Sequence, residues 1–285
     1  LIHYKANGEL CVLGPNVGDF NIEAEGDLNF RLGKRDSATL VVKANIQNQR
    51  PTYLLRNYRN AYIHWDNNDL SRQFRTSLQG EIGYSRTRTK LRFGWNNLTN
   101  YTYLAMQNTL KPGAKEGSIV PADYTHSVAV RQSDASVQVF TASLSQDLIW
   151  KFIGWENEIT FQHSTNQDVL PLPAINIYSN LYLQFRIAKV LRVQLGGDIR
   201  FFTGYYAPDY FGAAGMFAVQ DASHTRMTIG KYPIVNVYAN LHLKHCRIYI
   251  DVAHVNAGSG NMFLAPHMPM NPMTINFGVS WNFFN

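Results

Sequence analysis

Long apolar runs, cysteine and net charge are all scarce in this chain of 285 residues, and each shortage removes a class of protein. No stretch approaches the roughly 18 to 20 consecutive apolar residues of a spanning helix, so any passage through a bilayer has to be made by strands. Cys11 and Cys246 are too few for a disulfide framework. The topology derived below puts them near opposite ends of the fold, so both are expected to be unpaired. The formal charge of +6 is carried by basic residues scattered singly, unlike the clustered patch that grips nucleic acid. Gly-x-Ser-x-Gly elbows, zinc-type His-Glu motifs and phosphate loops are missing, and Ser143, Ser145 and His163 stand apart in sequence. No enzymatic chemistry and no cofactor are expected. The sequence opens at Leu1 without a charged-then-apolar leader, so any signal peptide is expected to lie upstream or to have been removed.

Aromatic residues are what the chain has in excess, 16 Tyr, 16 Phe and 5 Trp, against a mean hydropathy of −0.23. A polar average and membrane residence are compatible only if apolar and polar side chains are sorted by strand face. The final segment is sorted in this way. Ile275, Phe277, Val279, Trp281 and Phe283 alternate with Asn276, Gly278, Ser280 and Asn282, and Phe284 and Asn285 follow. Such a strand in a soluble domain leaves an apolar face and a bare edge exposed, whereas outer-membrane barrels use it routinely.

The same period of two recurs in pairs of segments joined by very short turns. Ile22, Ala24, Gly26, Leu28, Phe30 and Leu32 alternate with Glu23, Glu25, Asp27, Asn29 and Arg31. After Lys34-Arg35-Asp36-Ser37 come Leu40, Val42, Ala44 and Ile46. Further pairs are carried by Phe74 to Tyr84 with Leu91 to Trp95, by Phe140 to Leu148 with Trp155 to Phe161, by Ile177 to Ile187 with Leu191 to Phe201, and by Val235 to Leu243 with Ile248 to Val252. The connections between pairs are long, at residues 49–70, 98–136, 164–174, 203–232 and 256–272. Together with a weaker strand within residues 1–13, this predicts an all-β, antiparallel transmembrane β-barrel of about twelve strands, with short periplasmic turns and long extracellular loops. Residues 1–285 form one domain in this reading.

Several segments also resemble a known family. Asn97-Leu98-Thr99-Asn100-Tyr101-Thr102-Tyr103, Leu170-Pro171-Leu172-Pro173, Thr203-Gly204-Tyr205-Tyr206-Ala207-Pro208-Asp209-Tyr210, Lys231-Tyr232-Pro233 and Phe277-Gly278-Val279-Ser280-Trp281-Asn282-Phe283-Phe284 are similar to the β-barrel porins of the Bacteroidetes outer membrane. Trp65, in an aromatic and polar loop, is a weaker match. The resemblance implies an integral protein of a Gram-negative outer membrane, without a fixed substrate or fixed functional residues. Family members are usually longer, so the chain is either a small barrel or the C-terminal portion of a larger one.

On this topology Arg75, Lys90, Arg92, Arg186, Arg192, Asp198, Arg200, Lys244, Arg247 and Asp251 are the expected pore-lining residues. Charged rings of this kind bias ion passage through a channel, and equally they pair into ladders that fill a narrow lumen. Tyr205, Tyr206, Tyr210 and Phe211 are the candidate loop recognition residues, with anchoring of the loop on the rim as the competing role. Met262, His267, Met268, Met270 and Met273 combine thioether and imidazole groups but show no coordination repeat, and no metal site is assigned there. The expected function is passive diffusion of small hydrophilic solutes or ions; the alternative is a non-conducting accessory barrel within a larger outer-membrane protein complex. The partners expected are outer-membrane lipid, the solutes and, in the second case, other outer-membrane proteins.

Overall fold

The computed structural model describes residues 2–32, 36–115, 123–260 and 262–283. Lys34 and Arg35 of the first expected turn, and Phe284 of the last strand, lie outside the described residues. Twelve strands form a single antiparallel sheet in sequence order: β1 Ile2–Leu10, β2 Phe20–Arg31, β3 Ser37–Gln49, β4 Gln73–Tyr84, β5 Thr89–Thr99, β6 Val137–Trp150, β7 Ile153–Ser164, β8 Ile175–Ile187, β9 Leu191–Phe202, β10 Ile234–Leu243, β11 Cys246–Ala253 and β12 Thr274–Trp281. Among the described residues β1 pairs only with β2, and β12 only with β11. The sheet therefore carries a free edge on each of these strands.

Register preserves the alternation from strand to strand. Phe93 stands opposite Gly80 and Ala142, Trp155 opposite Leu148 and Leu181, and Ile250 opposite Ala239 and Phe277. A slip of one residue anywhere would turn a whole apolar set onto the charged side, so the pattern itself fixes the pairing. One face thus carries Leu78, Phe93, Phe140, Trp155, Phe161, Leu181, Leu195, Ile248 and Phe277, every one of them exposed, Phe277 to 82%. Burying each such side chain is worth about 1.5–3 kcal/mol, and soluble monomers rarely expose a continuous apolar surface of this kind. Hydrocarbon is the solvent this face fits.

The short turns lie at one end of the sheet. Between β8 and β9 the backbone turns at Ala188 and Lys189, both with positive φ (49° and 63°), and Val190 N–H donates to Ile187 O at 3.2 Å. This is the type I′ geometry, whose twist matches that of the flanking strands. Trp150, Phe152 and Trp281 are exposed near this end, at the height where amphipathic rings meet a membrane interface. Cys246 begins β11 there, while Cys11 follows β1 at the other end, and both thiols are free.

The long connections are more ordered than sequence patterning suggests. Among the described residues they contain four hairpins, Asn57–Arg59 with His64–Asp66, Thr102–Leu110 with Tyr124–Gln132, Asp209–Phe211 with Met216–Ala218, and Phe263–Ala265 with Met268–Pro269. Most of the buried apolar residues lie here and not in the sheet: Leu104, Ala105, Val169, Ala207, Ala214, Ala218, Val219, Ile229, Tyr232 and Ala265, with Ile229 and Ala218 fully enclosed. The apolar face of the sheet is left exposed, so a conventional hydrophobic core forms mainly where the loops pack on one another.

Candidate pore wall and loop vestibule

The face opposite the apolar one is polar, and its charges pair across strands. Glu25 of β2 meets Lys43 of β3 at 2.9 Å. Arg92 of β5 lies directly across from Glu81 of β4, with Nε 2.9 Å from its carboxylate, and its Nη1 is 3.8 Å from Glu158 of β7. A groove of about 410 Å³ opens over this cluster, lined by Glu25, Lys43, Glu81, Arg92 and Asn96 among others. These pairs are partly exposed, so each contributes little stability, roughly 0–1 kcal/mol. Their larger effect is to offset the basic excess of the wall locally.

Of the expected pore-lining residues, Arg75, Lys90, Arg92, Arg186, Arg192, Asp198, Arg200, Arg247 and Asp251 sit at register positions on this polar face. Arg75 donates to Asn96 Oδ1 (2.9 Å), Arg247 to Asn240 Oδ1 (3.1 Å), and Arg200 Nε lies 3.8 Å from Asp198. Arg186 and Arg192 face each other as a like-charged pair beside the β8–β9 turn. Lys244 is the exception. It occupies a left-handed turn position (φ 49°) between β10 and β11, and so belongs to the rim and not to the wall.

Beyond this ladder the polar face of β7 to β10 holds an aromatic and amide patch that sequence reasoning missed. Gly154, Tyr182, Gly196 and Tyr238 follow one another across four strands in direct register. The Tyr182 ring lies over Gly154 so closely that a Cβ there would come within 2.1 Å of Cζ, and the Tyr238 ring covers Gly196 at 2.7 Å. Tyr182 Oη donates to Glu156 Oε1 (3.2 Å), Asn180 Nδ2 to Glu156 Oε2 (3.2 Å), and Tyr238 Oη to Asn180 Oδ1 (2.9 Å). The available signal was glycine on the polar side of a strand, which allows a cross-strand ring to lie down.

At the long-loop end, residues 203–233 act as a hub. Tyr58 Oη donates to Ala213 O at 3.1 Å, and Met106 and Val219 exchange backbone bonds with Val219 and Leu104 at 2.8 Å. Asn108 N–H donates to Asp221 (3.3 Å), Arg226 pairs with Asp168 (2.5 Å), and His267 pairs with Asp209 (3.1 Å). Gln220 clasps the segment from within through Ala207 O, Met227 O and Met227 N–H. Four other long connections are thereby tied to this one. Between three of these connections, 98–136, 203–232 and 256–272, lies a cavity of about 760 Å³ lined by Asn108, Tyr124, His126, Asp209, Tyr210, Asp221, His224, Arg226, His267 and Met268, with others.

The loop recognition residues divide on this geometry. Tyr210 lines the vestibule and leans on Phe217 (5.3 Å), and Tyr206 supports the Arg226 guanidinium 3.9 Å above its ring. Tyr205 bridges to Ile229 and packs its edge on Phe202 (6.0 Å); burial raises its phenol pKa. Phe211 pairs with Met216 in the small hairpin. Of the four, Tyr210 alone lines the vestibule, while Tyr206 reaches it through Arg226, and Tyr205 and Phe211 pair within the loop. His126, His224, Asp221 and Arg226 were not legible as a group, because they come from segments up to a hundred residues apart in sequence. Asp221 is drawn in two directions. Burial raises its pKa, but hydrogen bonds from Ser223, from Asn108 N–H and from His224 outweigh it and hold the carboxyl below its usual range.

Along its whole length, residues 1–285, the sequence matches the family described as "Putative porin". The chain belongs to this porin family. No curated protein matches it in sequence. Among solved structures the porin chain is similar to the ferric enterobactin receptor in complex with BCV-L6, at 14% identity and a TM-score of 0.55 over 98% of this chain and 45% of the receptor. A variant of that receptor from Pseudomonas aeruginosa in complex with enterobactin gives 14% identity and a TM-score of 0.51 over 98% and 45%. The chain spans about half the length of these receptors. At such low identity the likeness concerns the fold alone. Family and fold together make this an integral protein of the bacterial outer membrane.

Proposed function

We propose that this porin provides passive diffusion of small hydrophilic solutes or ions across a Gram-negative outer membrane, of the Bacteroidetes type that its loop motifs resemble. One observation carries the reading: a single sheet has an uncovered apolar face and an opposite face set with Glu25, Lys43, Glu81, Arg92, Asp198 and Arg200. A charged face is costly unless it meets water, and water beside a lipid-facing wall is a channel. In the membrane the free edges of β1 and β12 are joined to one another or to further strands, since unpaired backbone in hydrocarbon costs several kcal/mol per group, by order of magnitude. The proposed mechanism is diffusion and needs no chemical step. The enterobactin bound by the similar receptor does not carry over: Arg226, a cation of the vestibule, is engaged by Asp168, and Asp209 and Asp221 line the same space.

The test is single-channel conductance of the native, detergent-extracted protein in a planar bilayer. Stable steps whose ion selectivity shifts toward cations on Arg92→Glu support the channel. A silent bilayer overturns it and favours the second reading, a non-conducting accessory barrel of a larger assembly. The observation behind that alternative is the 203–233 hub, which ties four other long connections together at one end of the sheet.

A further inference from the structure

We propose that the tyrosine patch on the polar face of β7 to β10 is a stacking site for the sugar rings of a neutral oligosaccharide. The inference rests on the channel reading for the solute's route, but not for the site's chemistry. Tyr182 and Tyr238 are half-buried, each with the tip of its ring packed against a glycine of the neighbouring strand and part of the ring left accessible from the polar side. Among the described residues no second aromatic ring stacks on either one. An aromatic face is weakly negative and attracts the polarised C–H groups that line one side of a pyranose.

The surroundings supply partners for hydroxyl groups. Glu156, Asn180, Asp198 and Asn236 lie in the next rung, directly opposite one another across β7 to β10. A carboxylate has about four acceptor positions, and Glu156 has given two of them to Tyr182 and Asn180. Asp198 accepts from Asn236 at 3.0 Å and lies 3.8 Å from Arg200, whose guanidinium sits 5.6 Å from the Tyr178 ring. Arg200 lies beside Asp198, and Glu156 keeps acceptor positions beyond Tyr182 and Asn180, so amide, carboxylate and ring surfaces stand together in an arrangement suited to a polyhydroxylated ligand. Tyr182 covers β7 and Tyr238 covers β9, so the two rings stand about 10 Å apart at ~4.8 Å per strand. A ligand touching both must be an oligomer of several sugar units, not a monosaccharide.

The experiment uses maltohexaose, a linear neutral glucan, with a poly(ethylene glycol) of similar mass as a flexible polymer without sugar rings. Single-channel current through the native protein is recorded with each, and calorimetric titration of the same detergent-solubilised protein follows. We expect maltohexaose, and not the glycol, to interrupt the current. Tyr182→Ala and Tyr238→Ala should each weaken sugar binding about tenfold, and Tyr182→Phe, which keeps the ring, should bind within about twofold. Open channels indifferent to maltohexaose overturn the stacking site and leave the channel standing. If no current is seen the channel reading fails, and calorimetry then decides the site: binding lost in the alanine variants upholds it, and absence of binding overturns it.

Discussion

Adding a single methyl group at Gly154 tests the packing of the wall, because two physical effects predict opposite signs. In an ordinary strand Gly→Ala removes a conformational-entropy cost and stabilises by roughly 0.5–1 kcal/mol. At Gly154 the new Cβ would stand 2.1 Å from Tyr182 Cζ and 2.5 Å from Cε2 and Oη, where carbon contacts need about 3.5–4.0 Å. The ring must lift, which sacrifices the hydrogen bond to Glu156, worth about 1 kcal/mol, and its dispersion contact with the backbone below. Overpacking of this kind costs about 1–3 kcal/mol, so Gly154→Ala should be destabilising by about 1–2 kcal/mol after the entropy gain is subtracted. Gly94 provides the control on the same polar face, since a Cβ there meets Thr141 Cβ at an ordinary 3.7 Å. Urea unfolding in detergent micelles, followed by tryptophan fluorescence, measures both variants. A Gly154→Ala protein as stable as Gly94→Ala would refute the account of Tyr182 lying over Gly154.

The β8–β9 turn holds Ala188 and Lys189 in left-handed conformations, so Lys189→Gly should raise stability by about 1 kcal/mol, read as a higher urea midpoint. Arg92→Glu places three carboxylates together with Glu81 and Glu158; reversal potentials in a salt gradient should move toward cation preference, and an unchanged potential would place Arg92 outside the conducting path. Asp221 has a pKa below its unfolded value, so its contribution to loop docking is fully present above the unfolded carboxylate pKa and is lost as pH falls through the lower folded value. Limited proteolysis of residues 203–233 should therefore accelerate on acidification within the acid range. Asp221→Asn should abolish this step, and a step of the same size in that variant would assign it to another group.

The sequence by itself determined the wall. Alternation as regular as Leu181, Leu183 and Phe185 against Tyr182, Gln184 and Arg186 names a strand, its lipid side and its polar side at once, because a period of two leaves no freedom about which face a residue joins. The short turns, the strand order and the positions of Arg92, Arg192 and Asp198 followed from that parity. Lys244 stands at the turn between β10 and β11, and its positive φ puts it at the rim, a position that alternation along a strand does not resolve. The vestibule depended on tertiary structure alone: Asn108, Asp221, Arg226 and His267 come from three connections with no common period, and only the packing around Val219 and Ile229 brings them to one cavity. The tyrosine patch lies between these cases. Its strands and faces were legible, but that Tyr182 lies over Gly154 and Tyr238 over Gly196 depends on the residue directly opposite each ring, which a period of two leaves open to shifts of two positions.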